Sequence, residues 1–166
     1  MAYNQREYGK QGMQNMGQIA TFAAGSFWEV EERLSSLDGV QETIAGYMGG
    51  TVREPTYQEV CNHTTGHAEA VQVTYDPEKI SYEQLLSTFW AMYDATLQSK
   101  QRDSQHRSAI FYHNDYQRIE AEHSKRRLKR SRALSQDITT EIVPATTFWN
   151  AEEEHQQYLA KHGIRT

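Results

Sequence analysis

The 166-residue sequence has one cysteine, Cys61, so an intramolecular disulfide and a structural zinc site built on several cysteines are excluded. It also lacks an apolar run of the roughly 18 residues that a membrane-spanning helix needs. The polar first 18 residues lack the apolar core of a signal peptide. There is no excess of positive charge, because 17 basic residues stand against 22 acidic ones. These absences predict a cytoplasmic protein without an overall field for nucleic acid or membrane.

The length is that of one domain with a core of reasonable size. Residues 1–17 are rich in Gln, Asn and Gly without periodicity, which predicts a mobile leader, and 18–166 are predicted to form a single catalytic domain. Helical and strand-like patterns are interspersed, which indicates the α+β class. Strands are predicted at 18–24, 40–47, 68–75, 108–112 and 140–143. Helices are predicted at 27–37, after Ser81, from Asn114 to about 134 and after Asn150, with loops at 51–67 and 94–106.

A buried strand that turns sharply into a helix is predicted around Gly25 and Ser26. Ser26 stands at the N-cap and Glu29, three residues later, would complete a capping box, so a purely structural role for Ser26 is one interpretation. Phe27 and Trp28 follow directly and would form an apolar wall beside the polar Ser26 side chain. That combination favours a functional site at the start of the helix.

The strand predicted at 68–75 places a carboxylate on an apolar face. Glu69 alternates with Val71, Val73 and Tyr75, and residues two apart on a strand share one side of the sheet. Glu69 either reaches solvent from the strand end or is a functional carboxylate held among apolar side chains.

Two other functions are weighed against this pattern. His67 or His106 could act as general base for Ser26, but the fragment lacks the second glycine of a lipase-type elbow, which disfavours a serine hydrolase. A docking module for RNA or an acidic protein is disfavoured by the acidic overall balance and the lack of interleaved aromatic residues. A basic run near the end of the long helix is therefore interpreted as a solvated face; it consists of Lys125, Arg126, Arg127, Lys129, Arg130 and Arg132.

Several blocks in register resemble type A methionine sulfoxide reductases, the peptide-methionine (S)-S-oxide reductases. The fragment at 25–28 is similar to the family's Gly-Cys-Phe-Trp signature, with serine in place of cysteine. Similar blocks follow in the family's order at 46–50, 55–61, 65–69, 75–83 and 107–110, so the resemblance runs from about 19 to 161. It implies a two-layer sandwich of a mixed sheet packed with helices, with a ferredoxin-like core.

The resemblance also implies a role for each residue. The nucleophile falls on Ser26, Phe27 and Trp28 would hold the sulfoxide methyl group, and Glu69, helped by Tyr57, would protonate the sulfoxide oxygen. A carboxylic acid on an apolar face can neutralise the negative charge that develops there. The implied activity is reduction of methionine-S-sulfoxide, free or in proteins, by a monomer without bound cofactor or metal. Thioredoxin, glutaredoxin or glutathione would be the external reductant.

Three departures from the family pattern shape the expected function. Serine replaces the expected cysteine or selenocysteine, so this form is predicted to be an inactive variant. The family's Asp-x-Gly-x-Gln-Tyr-Arg-Ser stretch is shortened here, which aligns Asp103 and His106 with substrate-binding positions and puts histidine in place of a second oxygen-binding tyrosine. The carboxy-terminal cysteines that regenerate the nucleophile in many members do not occur before Thr166.

Two alternatives stay open at this point. Cys61 is interpreted as a buried structural thiol, and its other possible role is that of a resolving thiol. The chain as a whole could be a natural redox-inactive pseudoenzyme that binds oxidised methionine or a protein partner. A cysteine or selenocysteine codon at position 26 of the natural coding sequence would favour the reductase, and a serine codon would favour the pseudoenzyme.

Overall fold

The structure, a computed structural model, describes residues 17–96, 105–131 and 138–164. Its strands are β1 Gln18–Ala24, β2 Val40–Met48, β3 Ala68–Tyr75, β4 Ser108–Tyr112, β5 Glu141–Pro144 and β6 Trp149–Asn150. Its helices are α1 Phe27–Ser35, α2 Tyr57–Cys61, α3 Tyr82–Thr96, α4 Asp115–Ser131 and α5 Tyr158–Lys161, with a 3₁₀ turn at Glu153–His155.

The strands that the structure describes form one mixed sheet in the order β5-β4-β1-β3-β2-β6. The β4–β5 pair is parallel and the other pairs are antiparallel. The unit β1-α1-β2-β3-α3-β4 gives the spatial strand order 4-1-3-2, which is that of a ferredoxin-like fold. The predicted α+β domain with a mixed sheet and packed helices is thereby confirmed.

The main core lies between the central strands and the helices. Phe22 of β1 stacks on Phe89 of α3 with ring centroids 5.6 Å apart, and both are fully buried. Full burial of such side chains stabilises the fold by about 1.5–3 kcal/mol each. A smaller cluster covers the opposite face of the sheet near its site end, where Met48 and Phe111 pack against Val143 and Phe148. The end of the sheet that carries the site is therefore buried on both faces.

The predicted loop at 51–67 contains the short helix α2, which the prediction missed. Thr56 and Glu59 form a reciprocal capping box, in which the Glu59 amide donates to Thr56 Oγ1 at 3.2 Å and the Thr56 amide donates to Glu59 Oε1 at 2.9 Å. This Thr-x-x-Glu signal was present in the sequence. His67 fixes the rest of the loop, because its Nδ1 accepts from the Gly50 amide at 2.9 Å and its Nε2 lies 2.7 Å from the Val52 carbonyl oxygen.

The prediction of a single helix after Asn150 is wrong. The segment forms a 3₁₀ turn and then α5, separated by Gln157 in the left-handed conformation at φ 52°. The cause is Glu31 on α1, which is only 1% exposed. Its carboxylate accepts from the Gln157 amide and from Gln157 Nε2, each at 2.7 Å. That buried clamp interrupts the helix. The two-residue strand β6 was also missed.

Other predicted helix signals agree with the structure. The Ser81 hydroxyl accepts from the Gln84 amide at 3.1 Å before α3, and Asn114 Oδ1 accepts from the Gln117 amide at 2.9 Å before α4. None of the helices in the described ranges is long and apolar enough to cross a membrane. Residues 1–16 of the predicted leader, most of the second predicted loop and Arg132 of the basic run lie outside the described residues.

Candidate active site

Ser26 is the N-cap residue of α1, but its side chain makes no capping hydrogen bond. The predicted capping box with Glu29 is therefore wrong. The first amide of the helix, that of Phe27, instead donates to Glu69 Oε1 at 3.1 Å. A carboxylate from β3 thus satisfies a donor at the helix start, and the half-buried Ser26 hydroxyl is left out of the capping.

Glu69 lies on the buried face that the strand alternation predicts and is 2% exposed. It therefore does not escape to solvent from the strand end. Its Oε2 accepts from the Gln105 side-chain amide and lies 3.0 Å from Nε2 of His106. Its own backbone amide donates to the Gln105 carbonyl oxygen at 2.8 Å. The structure thus brings Phe27, Gln105 and His106 together on one buried carboxylate.

Cys61 and Tyr57 border this carboxylate. Gln105 Nε2 also donates to Cys61 Sγ at 3.3 Å, and the Cys61 side chain is half-buried, which corrects its prediction as a buried thiol. Burial, the charge of Glu69 and a hydrogen bond with Cys61 raise the pKa of Tyr57 well above its ordinary value. The Tyr57 hydroxyl therefore stays protonated beside Glu69 throughout the physiological range.

Trp28 forms an aromatic wall with Tyr57, His155 and Tyr158, whereas Phe27, which was predicted to share this wall, is fully buried. Trp28 stacks face to face on Tyr158, with ring centroids 3.9 Å apart and planes 10° apart, and its Nε1 donates to His155 Nδ1 at 3.2 Å. The ring centroids of His155 and Tyr57 are 4.2 Å apart. Phe27 is buried behind these rings. Stacked rings of this kind form an apolar surface for a small alkyl group.

Glu152 joins three elements around this wall. It accepts from the Tyr47 hydroxyl on β2 at 2.8 Å and from the Tyr57 amide at the start of α2 at 2.9 Å. Partial burial acts to raise the pKa of Glu152, but the hydrogen bonds from Tyr57 and Tyr47 outweigh burial and hold that pKa below its ordinary value. Glu152 therefore ties the carboxy-terminal segment to the site as an ionised group.

Sequence reasoning missed Gln105, His155, Glu152 and Tyr158. Gln105 stands at the glutamine of the family's Asp-x-Gly-x-Gln-Tyr-Arg-Ser stretch, so a signal for it was available. Glu152 and His155 fall in the helix predicted after Asn150, for which the sequence indicated no functional role. No spacing in the sequence indicates the contacts of His155 and Tyr158 with Trp28. Asp103 lies outside the described residues.

Glu152, Glu154 and His155 bring potential metal-ligand atoms within 4.8 Å of one another. Glu152 and His155 Nδ1 already accept the hydrogen bonds that hold the aromatic wall, so this trio is explained as a structural contact. Both ring nitrogens of His67 are engaged in its loop. His67 is thus unsuited to act as a base for Ser26.

The arrangement suits a ligand with one polar and one apolar substituent. The start of α1 carries the positive end of the helix dipole, which stabilises an anion at position 26. Phe27 and Trp28 follow this position directly, and the amide of Phe27 donates to the buried Glu69 carboxylate. A thiolate here would be favoured electrostatically, whereas a serine hydroxyl stays protonated without an adjacent base.

The chain is similar to several known proteins. Residues 18–166 match the family model described as peptide methionine sulfoxide reductase. A relative from Methanoculleus marisnigri, named peptide methionine sulfoxide reductase MsrA, is 53% identical over 147 residues, which are 87% of this chain and 90% of the relative.

Two solved structures of Saccharomyces cerevisiae Mxr1 are also similar. The reduced form gives a TM-score of 0.79 at 28% identity, over 91% of this chain and 88% of that chain. The structure of Mxr1 in complex with Trx2 gives a TM-score of 0.59 at 25% identity, over 86% of this chain and 85% of the Mxr1 chain.

Proposed function

The chain belongs to the peptide methionine sulfoxide reductase family, and on that premise we propose that its site reduces methionine-S-sulfoxide, free or in proteins, when a thiolate or selenolate occupies position 26. Methionine sulfoxide reduction itself is the activity that the family match and the named relatives support. The form with Ser26 binds methyl sulfoxides but does not reduce them, because it lacks the nucleophile.

One observation carries this proposal: the backbone amide of Phe27, the residue after position 26, donates a hydrogen bond to the Glu69 carboxylate. The same short stretch therefore carries the nucleophile position, one wall of the apolar surface and a link to a buried acid. A sulfoxide whose sulfur faces position 26 can direct its methyl group to Phe27 and Trp28 and its oxygen to Glu69.

The reaction at this site begins when the thiolate or selenolate attacks the sulfoxide sulfur. The sulfoxide oxygen takes up a proton from Glu69, with Tyr57 as the second donor on that side. The sulfoxide is reduced to methionine, and the nucleophile is oxidised to a sulfenic or selenenic acid that carries the oxygen. His106, and Asp103 by its place in the sequence, are proposed to contribute to oxygen binding.

A thioredoxin-type protein is proposed as the reductant that restores the nucleophile. The similar yeast protein Mxr1 has been solved in complex with Trx2, which supports this class of partner. The pseudoenzyme alternative is not favoured, since a relative that is 53% identical is named a reductase.

The experiment compares this chain with Ser26→Cys for reduction of N-acetyl methionine sulfoxide. We expect the variant to turn over at least about 10³-fold faster, because removal of an enzyme's nucleophile costs at least that much. Ser35→Cys, which adds a thiol at the exposed far end of α1, is the matched control and should stay inactive. A Ser26 protein as fast as Ser26→Cys would refute the assignment of position 26.

A further inference from the structure

His106 is the one member of the Glu69 cluster that connects the buried carboxylate to solvent among the described residues. Its Nε2 lies 3.0 Å from Glu69 Oε2, and its side chain is 37% exposed whereas that of Glu69 is 1% exposed. The other two nitrogen partners of Glu69 are the Phe27 backbone amide and the Gln105 side-chain amide. Amides do not release a proton near neutral pH, but an imidazole does.

The chemistry at this site consumes one proton in the first half of each turnover. The thiolate sulfur gains a bond to oxygen, the sulfoxide sulfur loses that bond and is reduced by two electrons, and the transferred oxygen ends as a hydroxyl. Its proton comes from Glu69, which is left as a carboxylate. A carboxylate with 1% of its side chain exposed has little direct contact with water to regain that proton.

We propose that His106 resupplies Glu69 with the proton that each turnover consumes, so that the two side chains share one proton and act as a relay from solvent. This inference rests on the proposed reductase function and deepens it. In this role His106 acts through Glu69. In one state of the pair the imidazolium donates to the carboxylate, and in the other the carboxylic acid donates to neutral Nε2.

The neighbouring ionisable groups do not offer the same route. Burial raises the pKa of both Tyr57 and Tyr47, and the charge of Glu69 raises them further, so neither hydroxyl releases its proton near neutral pH. Glu152 already accepts from Tyr47 and Tyr57. Among the described residues, Cys61 Sγ accepts from Gln105 Nε2 and the His155 ring packs against Tyr57. Arg107 follows His106 in the sequence, and its Nε lies 3.7 Å from a Glu141 carboxylate oxygen.

The relay predicts how the rate of sulfoxide reduction changes with pH. An imidazole loses its proton as the pH rises through neutrality, so the resupply by His106 slows on the alkaline side. A tyrosine at position 106 ionises about 3.5 pH units higher than a histidine, so it would not release a proton near neutral pH and could not replace His106 in the relay.

The test measures formation of N-acetyl methionine from its sulfoxide over repeated turnovers between pH 5 and 10, with Ser26→Cys protein and excess dithiothreitol as the reductant. Relative to Ser26→Cys alone, added His106→Asn should slow the reaction about tenfold or more at pH 7. Added His106→Tyr should be as slow at pH 7 and should lack the alkaline decline that His106 confers, because a tyrosine hydroxyl keeps its proton in that range. His123→Asn, at an exposed histidine on α4, is the matched control and should change neither quantity.

An unchanged alkaline decline in both His106 variants would overturn the relay while leaving the reductase function intact. An inactive Ser26→Cys protein would instead reject the proposed function and, with it, the role of His106 in turnover.

A second measurement is independent of turnover and uses the Ser26 chain itself. The ring signals of His106 are followed by NMR as a function of pH, with and without Glu69→Gln. Loss of the adjacent carboxylate should lower the titration midpoint of these signals by about one pH unit or more. Glu42→Gln, at an exposed site on β2, should leave it unchanged. A midpoint that does not respond to Glu69→Gln would overturn the shared proton.

Discussion

A serine at a helix start ordinarily accepts a backbone hydrogen bond, and its removal costs about 0.5–2 kcal/mol. Ser26 makes no such bond, and Glu69 accepts instead from the Phe27 amide. At the scale of the residue, the side chain at position 26 is therefore not needed to cap α1 and is available for chemistry. The same carboxylate satisfies a donor at the helix start and is the proposed acid for the sulfoxide oxygen.

Glu69→Gln in the Ser26→Cys background should therefore slow sulfoxide reduction by about 10²–10⁴-fold, because the amide cannot donate a proton as the acid does. The amide oxygen can still accept from Phe27, so the fold should persist. The measurement is the initial rate at pH 7 alongside thermal unfolding, with Glu42→Gln as the matched control. A loss of less than threefold would remove Glu69 from the mechanism.

Some residues of the site can be recognised from their neighbours in the sequence, and others cannot. Ser26, Phe27 and Trp28 follow one another at a turn, and Glu69 breaks an apolar alternation, so each could be found from neighbouring residues. His155 meets Trp28 across 127 positions, and no local period encodes such a contact. Contacts of this kind are decided by the tertiary fold.

At the scale of the element, strands were the more predictable part. The predicted bounds of β1, β3 and β4 agree with the structure because alternation and flanking turn residues define them. The carboxy-terminal segment was mispredicted because Glu31, in a different element, holds Gln157 in a left-handed conformation. Helix propensity there is overridden by a buried carboxylate that the local pattern does not contain.

The segment around Glu152 makes a prediction for stability. The lowered pKa of Glu152 means that its contribution is present above the ordinary value of 4.5 and is lost as the pH falls through the lower value in the folded protein. Glu152→Gln should therefore lower the Tm at pH 7 by about 2–4 °C, allowing for solvent screening of a partly exposed group. The difference from the parent should shrink at acid pH.

Thermal unfolding followed by circular dichroism across this pH range measures the effect. Glu154→Gln is the matched control, since Glu154 is exposed in the same turn. A destabilisation by Glu152→Gln that is equal at every pH would contradict the ionised role of Glu152.

At the scale of the whole molecule, regeneration depends on which thiol can reach the oxidised nucleophile. Cys61 is the only cysteine in the sequence, and its sulfur is engaged by Gln105 beside Glu69. We expect a one-thiol cycle in which an external thiol attacks the sulfenic acid directly. After stoichiometric oxidation of Ser26→Cys by substrate, mass spectrometry should find the introduced thiol as sulfenic acid and Cys61 reduced.

The control for this cycle is Cys61→Ser in the same background, which should leave the rate with thioredoxin unchanged within about twofold. An intramolecular disulfide between Cys61 and the introduced thiol as the main product, absent from the Cys61→Ser protein, would make Cys61 the resolving residue.

The hydrogen bond between the Phe27 amide and Glu69 also has a consequence for how the sequence of such a protein can evolve. Because a residue 42 positions away holds the helix start, one codon can exchange serine, cysteine or selenocysteine at position 26 with little consequence for folding. Catalysis could then be gained or lost in a single mutational step, without an unstable intermediate. If the serine form binds oxidised methionines as proposed, a cell that made both forms would contain a competitive inhibitor of its own repair.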